Sequence, residues 1–82
     1  MTSTFIRQVL DIIVHELNLS GDPPLDQPLL NVGADSLDSI NIQVALEDKF
    51  LVSWSHKEAL TPDQTPLQIA ERLTALINQE QP

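Results

Sequence analysis

No stretch of this chain alternates apolar with polar residues; where its apolar residues are periodic, they return every three or four positions. A strand needs period two and a helix close to 3.6, so this spacing predicts an all-α fold. Phe5, Ile6, Val9, Leu10, Ile13 and Leu17 follow the rule in the first segment, behind the capping hydroxyls of Thr2, Ser3 and Thr4. A second helix is predicted from Asp35 to Leu51, with Asp35 as its N-cap and Asp38 as a further carboxylate in its first turn. The last helix starts at Thr65-Pro66-Leu67-Gln68, a capping box with proline at the first helical position. Leu67, Ala70, Leu73 and Ile77 are its expected buried stripe, and residues 78–82 are expected to fray. Trp54, Ala59 and Leu60 predict one short helix before Pro62. Asn18 to Asn31, with Gly21, Pro23-Pro24 and Pro28, reads as a loop of about fourteen residues, and Leu25, Leu29 and Leu30 are expected to pin it across the core. The expected architecture is a small four-helix bundle, three longer helices and one short, with a long loop between helices one and two. Residues 1–82 are expected to form one domain.

Composition narrows the function classes. At 82 residues the chain supports a single core, and an apolar fraction of 41% is that of a folded domain, not of an acidic disordered tail. It has no cysteine, hence no disulfide framework, thiolate nucleophile or zinc knuckle. Four Lys+Arg against twelve Asp+Glu give a net charge of −8. Such a surface repels nucleic-acid phosphate and attracts proteins with basic patches. The longest apolar run is Ile12-Ile13-Val14, far short of the roughly 20 residues a spanning helix needs. No basic-then-apolar leader opens the sequence, so a cytoplasmic monomer without membrane insertion is expected. His15 and His56 have no second histidine or cysteine near enough to form a metal site. Gly21 and Gly33 are too isolated to cradle phosphate, and Trp54 reads as a core plug. Nothing supplies the base and oxyanion hole that a serine nucleophile would need, so the chain is not expected to be an enzyme.

The second helix carries one apolar face too many. With Leu37 at zero and about 100° per residue, Ile42, Leu46 and Phe50 fall near 140°, 180° and 220°. Leu37, Ile40 and Val44 fall near 0°, 300° and 340°, flanked by Asp48, Asn41 and Glu47 at about 20°, 40° and 280°. A bundle this small can scarcely bury one helix on both sides. Either the second stripe faces water as a docking surface rimmed by carboxylates, or the 18–31 loop folds over it.

Ser36 stands where loop becomes helix. The free amides and dipole of a helix start favour an anion attached to such a hydroxyl, although Asp35 and Asp38 oppose it. Read without other knowledge, a serine there is more often only a polar first-turn residue. The run Gly33-Ala34-Asp35-Ser36-Leu37-Asp38-Ser39-Ile40, followed by Ala45-Leu46-Glu47-Asp48-Lys49-Phe50, resembles the acyl carrier proteins of bacterial fatty-acid and polyketide synthesis. Length, acidity and element order agree along the whole chain.

That resemblance implies that Ser36 receives 4′-phosphopantetheine from coenzyme A through a phosphopantetheinyl transferase using Mg²⁺, with Asp35 helping the transferase hold its metal and donor. It implies that Leu37, Ile40 and Val44 are partner-facing apolar positions, and that Asp38, Asn41, Glu47 and Asp48 line the same docking helix. Acyl groups would ride on the arm as thioesters, delivered by an acyl-loading ligase or transferase and consumed by a ketosynthase or another synthase with a basic patch. A fatty cargo would shelter among Ile6, Leu10, Ile42, Leu46 and Leu73. Asn41 departs from the glutamate usual in the fatty-acid branch, Gln43 from a core apolar residue and Asn31 from aspartate. Residues 53–65 are longer and less acidic than usual, which points to a specialised pathway. Peptidyl carriers usually show Gly-Gly-x-Ser-Leu, so Ala34-Asp35 argues against that branch without excluding an aminoacyl load. The rival from another class is a small acidic helical adaptor, never modified, that binds through the same stripe.

Overall fold

The computed structural model describes residues 4–54 and 59–80. They form three α-helices, α1 (Thr4–Leu17), α2 (Ser36–Phe50) and α3 (Pro66–Glu80), with a 3-10 turn at Leu29–Val32. The described residues contain no strand, as the missing period-two pattern requires. Trp54, Ala59 and Leu60 are not helical, and the middle of the expected short helix, 55–58, lies outside the described residues. Among the described residues the architecture is three helices and a 3-10 turn. The capping expected from Thr2 and Ser3 also falls outside them, and Thr4, the first described residue, is already helical.

α1 packs against both α2 and α3. Val9, Leu10 and Ile13 are its buried residues; Ile42 and Leu46 meet them from α2, and Ile69, Leu73 and Leu76 from α3. Phe5 and Phe50 close the seam edge to face with ring centroids 5.4 Å apart, which joins the start of α1 to the end of α2. The α3 stripe is displaced from its expected position. Pro66, Ile69, Ala70, Leu73 and Leu76 are buried, Ile77 is half-buried, and Leu67 faces out at the first turn. A capping box fixes that first turn, for Gln68 N donates to Thr65 Oγ1 at 3.1 Å and Thr65 N to Gln68 Oε1 at 2.9 Å. The rotation this sets carries Ile69 inward and Leu67 outward.

The long first loop is pinned by different residues from those expected. Leu29 is fully buried and Pro23 buried, whereas Leu25 and Leu30 are exposed. Backbone pairing to the residues before α3 and to its first turn does the rest: Leu29 N donates to Gln64 O at 3.0 Å, Leu30 N to Pro62 O at 2.9 Å, and Leu67 N to Leu25 O at 3.2 Å. Burial of Leu29 brings polar backbone with it, and these bonds keep that backbone satisfied.

Arg7 clamps the loop's first half. Its guanidinium grips Asp22 in a fork of 2.7 and 2.6 Å and donates from Nε to Asp11 at 3.0 Å. The Arg7 bond holds the Asp22 carboxyl below its ordinary range. A carboxyl depressed in the folded state adds stability above the unfolded value and loses it as pH falls through the folded one. Arg7→Ala is therefore expected to lower the urea midpoint modestly at pH 7. That gap should close as acid protonates Asp22, which parallel denaturation curves across the acid range would report.

Candidate functional site

The site grows from a chain reversal. The 3-10 turn ends on Gly33, whose φ of 93° is left-handed and whose N–H reaches Leu29 O and Leu30 O. No atom lies within 4 Å of where a Cβ would stand, so the backbone angle, and not crowding, calls for glycine there. Ala34 is buried and Asp35 turns extended, becoming the N-cap of α2. Asp35 Oδ1 accepts from Asp38 N at 2.8 Å, and Asp38 Oδ2 accepts from Asp35 N at 3.1 Å. This reciprocal box fixes the angle at which the loop enters the helix.

The box decides what becomes of two serines. Ser36, the first residue of α2, is exposed. Ser39, one turn on, is completely buried, and its hydroxyl donates to Asp35 O at 3.1 Å. Only Ser36 of the pair can meet a large incoming group. Any helix start leaves its first amides without intrahelical acceptors, so the position tolerates an attached anion.

The two-faced reading of α2 is resolved by burial. Ile42 and Leu46 are 0% exposed, whereas Leu37, Ile40 and Val44 are 65%, 53% and 57% exposed. The first loop does not cover the second stripe; it crosses toward α3 and leaves the stripe in water. Asn41 and Asp48 flank it as exposed side chains, and Asp38 is half-buried through its part in the capping box.

Glu47 and Gln43 turn out to be clamps. Glu47 Oε2 accepts from Trp54 N at 2.7 Å, and Gln43 Oε1 accepts from Leu60 N at 2.8 Å. Together they tie Trp54 and Leu60 to α2, and Val52, Trp54 and Leu60 are buried. Gln43, a departure when read as sequence, is thus a polar staple on the flank of the core face. Its signal was available in principle: a lone amide beside a core stripe has to find a backbone partner. Sequence reading also missed Leu51, the most exposed large apolar residue among the described ones at 82%. It stands just past the end of α2, as its left-handed C-cap with φ 56°.

Of the proposed cargo shelter, Ile42, Leu46 and Leu73 are sealed in the core cluster, Leu10 is buried and Ile6 is half-buried. No group of three or more metal-ligating side chains occurs among the described residues. Nor is any helix among them long and apolar enough to cross a membrane.

Comparison with known proteins agrees with this geometry. The family model for the phosphopantetheine attachment site matches residues 7–73. Over 56 residues the chain is 39% identical to "Acyl carrier protein 4, chloroplastic" of Arabidopsis thaliana. That segment covers 66% of this chain and 41% of the relative, so the chain spans well under two thirds of the relative's length. No solved structure matches. The chain belongs to the phosphopantetheine-attachment family, the family of acyl carrier proteins. Its cofactor is 4′-phosphopantetheine, carried covalently. A phosphodiester to that group needs an accessible hydroxyl with room beyond it, which Ser36 offers and Ser39 does not.

Proposed function

We propose that Ser36 carries the 4′-phosphopantetheine arm and that the chain shuttles acyl groups between partner enzymes that dock on the outer stripe of α2. The observation that carries this reading is the exposed Ser36 hydroxyl at the capped start of a helix whose next two turns present Leu37, Ile40 and Val44 to water. The arm supplies a thiol, which a chain without cysteine lacks, and holds cargo as a thioester.

Each residue of the site has a task in that scheme. Ser36 Oγ is the nucleophile toward the pantetheine-bearing phosphorus of coenzyme A: the new O–P bond forms as the pyrophosphate P–O bond breaks and adenosine 3′,5′-bisphosphate leaves, and the base that takes the serine proton and the Mg²⁺ belong to the transferase. Asp35 holds the helix start in place and offers its remaining lone pairs to the transferase's metal. Leu37, Ile40 and Val44 provide the apolar contact, while Asp38, Asn41 and Asp48 form the polar rim that steers encounter with a basic face. Glu47 adds negative charge to that rim while its Oε2 stays engaged with Trp54 N–H. Modest apolar area keeps release fast, which a shuttle needs. An acyl-loading ligase or transferase and a ketosynthase or similar synthase are the expected partners. Asn41 in place of a carboxylate favours enzymes of a specialised pathway over general fatty-acid synthases.

The test is intact mass after incubation with coenzyme A, Mg²⁺ and a broad-specificity phosphopantetheinyl transferase. Wild type is expected to gain one phosphopantetheinyl group and Ser36→Ala none. A wild type that gains no mass would favour the unmodified adaptor, and a Ser36→Ala variant that still gains it would move the attachment elsewhere.

A further inference from the structure

Trp54 occupies the room that a fatty cargo would need. It is 6% exposed and belongs to the same core cluster as Ile42, Leu46 and Leu73, three of the residues expected to shelter an acyl chain. It is also the bulkiest side chain of that cluster. A close-packed interior has no spare volume, so a guest enters only by displacing a resident.

The way in from Ser36 runs past the same residue. On the α2 wheel with Leu37 at zero, Ser36 falls at about 260°, between Gln43 at about 240° and Glu47 at about 280°. Gln43 Oε1 accepts from Leu60 N at 2.8 Å and Glu47 Oε2 from Trp54 N at 2.7 Å, so the flank of α2 that continues from the serine has backbone stapled across it. The eleven steps from Ser36 to Glu47 span roughly 16 Å of helix. A phosphopantetheine arm has about fourteen bonds from the serine oxygen to its sulfur, and at the pitch of an extended chain these reach roughly 16 Å as well. A thioester on an arm laid along that flank stands level with the Glu47–Trp54 bond, and entry there means evicting Trp54.

Areas decide which cargo could do so. A tryptophan side chain buries about 150–250 Å², whereas each methylene of an acyl chain brings roughly 30 Å² of apolar surface. A cargo therefore needs about five to eight methylenes merely to match the surface it evicts, with the Glu47–Trp54 bond still to be broken. We infer that Trp54 keeps cargo out of the core, and that the chain handles short or polar acyl groups, of about six carbons or fewer, whose thioester stays in water along the Ser36 flank of α2. This rests on the reading that Ser36 carries the arm.

Wild type and Trp54→Ala are to be loaded from coenzyme A and from hexanoyl-coenzyme A by a broad-specificity transferase. Melting temperature is read for all four forms, and the emission of Trp54, the single tryptophan, for the two wild-type forms. In wild type the hexanoyl form is expected to melt within about 1 °C of the bare-arm form, with the emission of a buried indole unchanged. Trp54→Ala opens a hole beside the same flank, so there the hexanoyl chain should raise the melting temperature by about 5 °C or more. Trp54→Leu, a smaller deletion, takes its place if Trp54→Ala does not fold. Wild type stabilised by the hexanoyl chain with emission moved to the red would show cargo evicting Trp54 and overturn the inference. Stabilisation with emission unchanged would put the shelter elsewhere and overturn it too, as would a Trp54 variant indifferent to the hexanoyl chain. A wild type that gains no arm by mass would instead remove the reading of Ser36, and the inference with it.

Discussion

Ile42→Ala is expected to destabilise the protein by about 2–5 kcal/mol, while Ile40→Asp, two residues away and chemically more drastic, should cost no more than about 0.5 kcal/mol. Ile42 is wholly enclosed by the cluster that includes Ile13, Leu46 and Leu73, and truncation there leaves a hole that a packed interior fills only in part. Ile40 is 53% exposed, and a carboxylate at that position stays in water. In a domain of this size each kcal/mol moves the melting temperature by roughly 4–8 °C, so the two variants separate clearly in a thermal scan. Function should invert the order. Ile42→Ala, assayed well below its melting temperature, keeps the outer stripe and should load at close to the wild-type rate. Ile40→Asp sets a desolvated charge in the middle of the stripe and should lower kcat/KM for loading roughly tenfold, the effect of about 1.4 kcal/mol. If Ile40→Asp unfolds the chain, the outer stripe belongs to the core.

Gln43→Leu is the second large effect, and its sign runs against hydrophobicity. Position 43 lies on the flank of the core face, where an apolar residue would be the ordinary choice, yet Gln43 Oε1 takes the N–H of Leu60 at 2.8 Å. Leu60 is almost entirely buried, so removing its acceptor strands an amide away from water. Such a stranded donor costs about 1–3 kcal/mol, more than the partial burial of one leucine side chain returns at a half-exposed site. Urea denaturation should therefore place Gln43→Leu below wild type. Trp54, the single tryptophan and itself buried, is the reporter. Hydrogen exchange at Leu60 N–H should quicken in step. A Gln43→Leu variant more stable than wild type would mean that the staple holds nothing.

Where sequence reading succeeded and where it failed follow one physical division. Asp35 with Asp38, and Thr65 with Gln68, were legible as helix starts because a capping box is made within four consecutive residues. The two stripes of α2 were legible because helical periodicity is also local. The side of α3 that faces inward was misjudged. Leu67, Ala70, Leu73 and Ile77 fit helical spacing, but Ile69 and Leu76 fit it equally well on a neighbouring line. Which line turns inward depends on how the capping box and the Leu67–Leu25 backbone bond set the rotation. Leu25 and Leu30 were expected inside on apolarity alone, although only Leu29 lies beneath the crossing. Arg7 with Asp22, Gln43 with Leu60 and Glu47 with Trp54 join residues 15, 17 and 7 positions apart, beyond the reach of any local rule.

By itself the sequence determined the three long helices, the capped starts of α2 and α3, the surplus apolar face of α2 and the serine at its entry, because each is encoded within a few turns of chain. Only the tertiary structure decided that the first loop leaves that face in water, that Ser39 is sealed while Ser36 is presented, and that Gln43 and Glu47 hold the backbone of Leu60 and Trp54. These outcomes depend on where distant parts of the chain come to rest. Burial and long-range hydrogen bonding belong to the packed whole, and no short window of residues contains them.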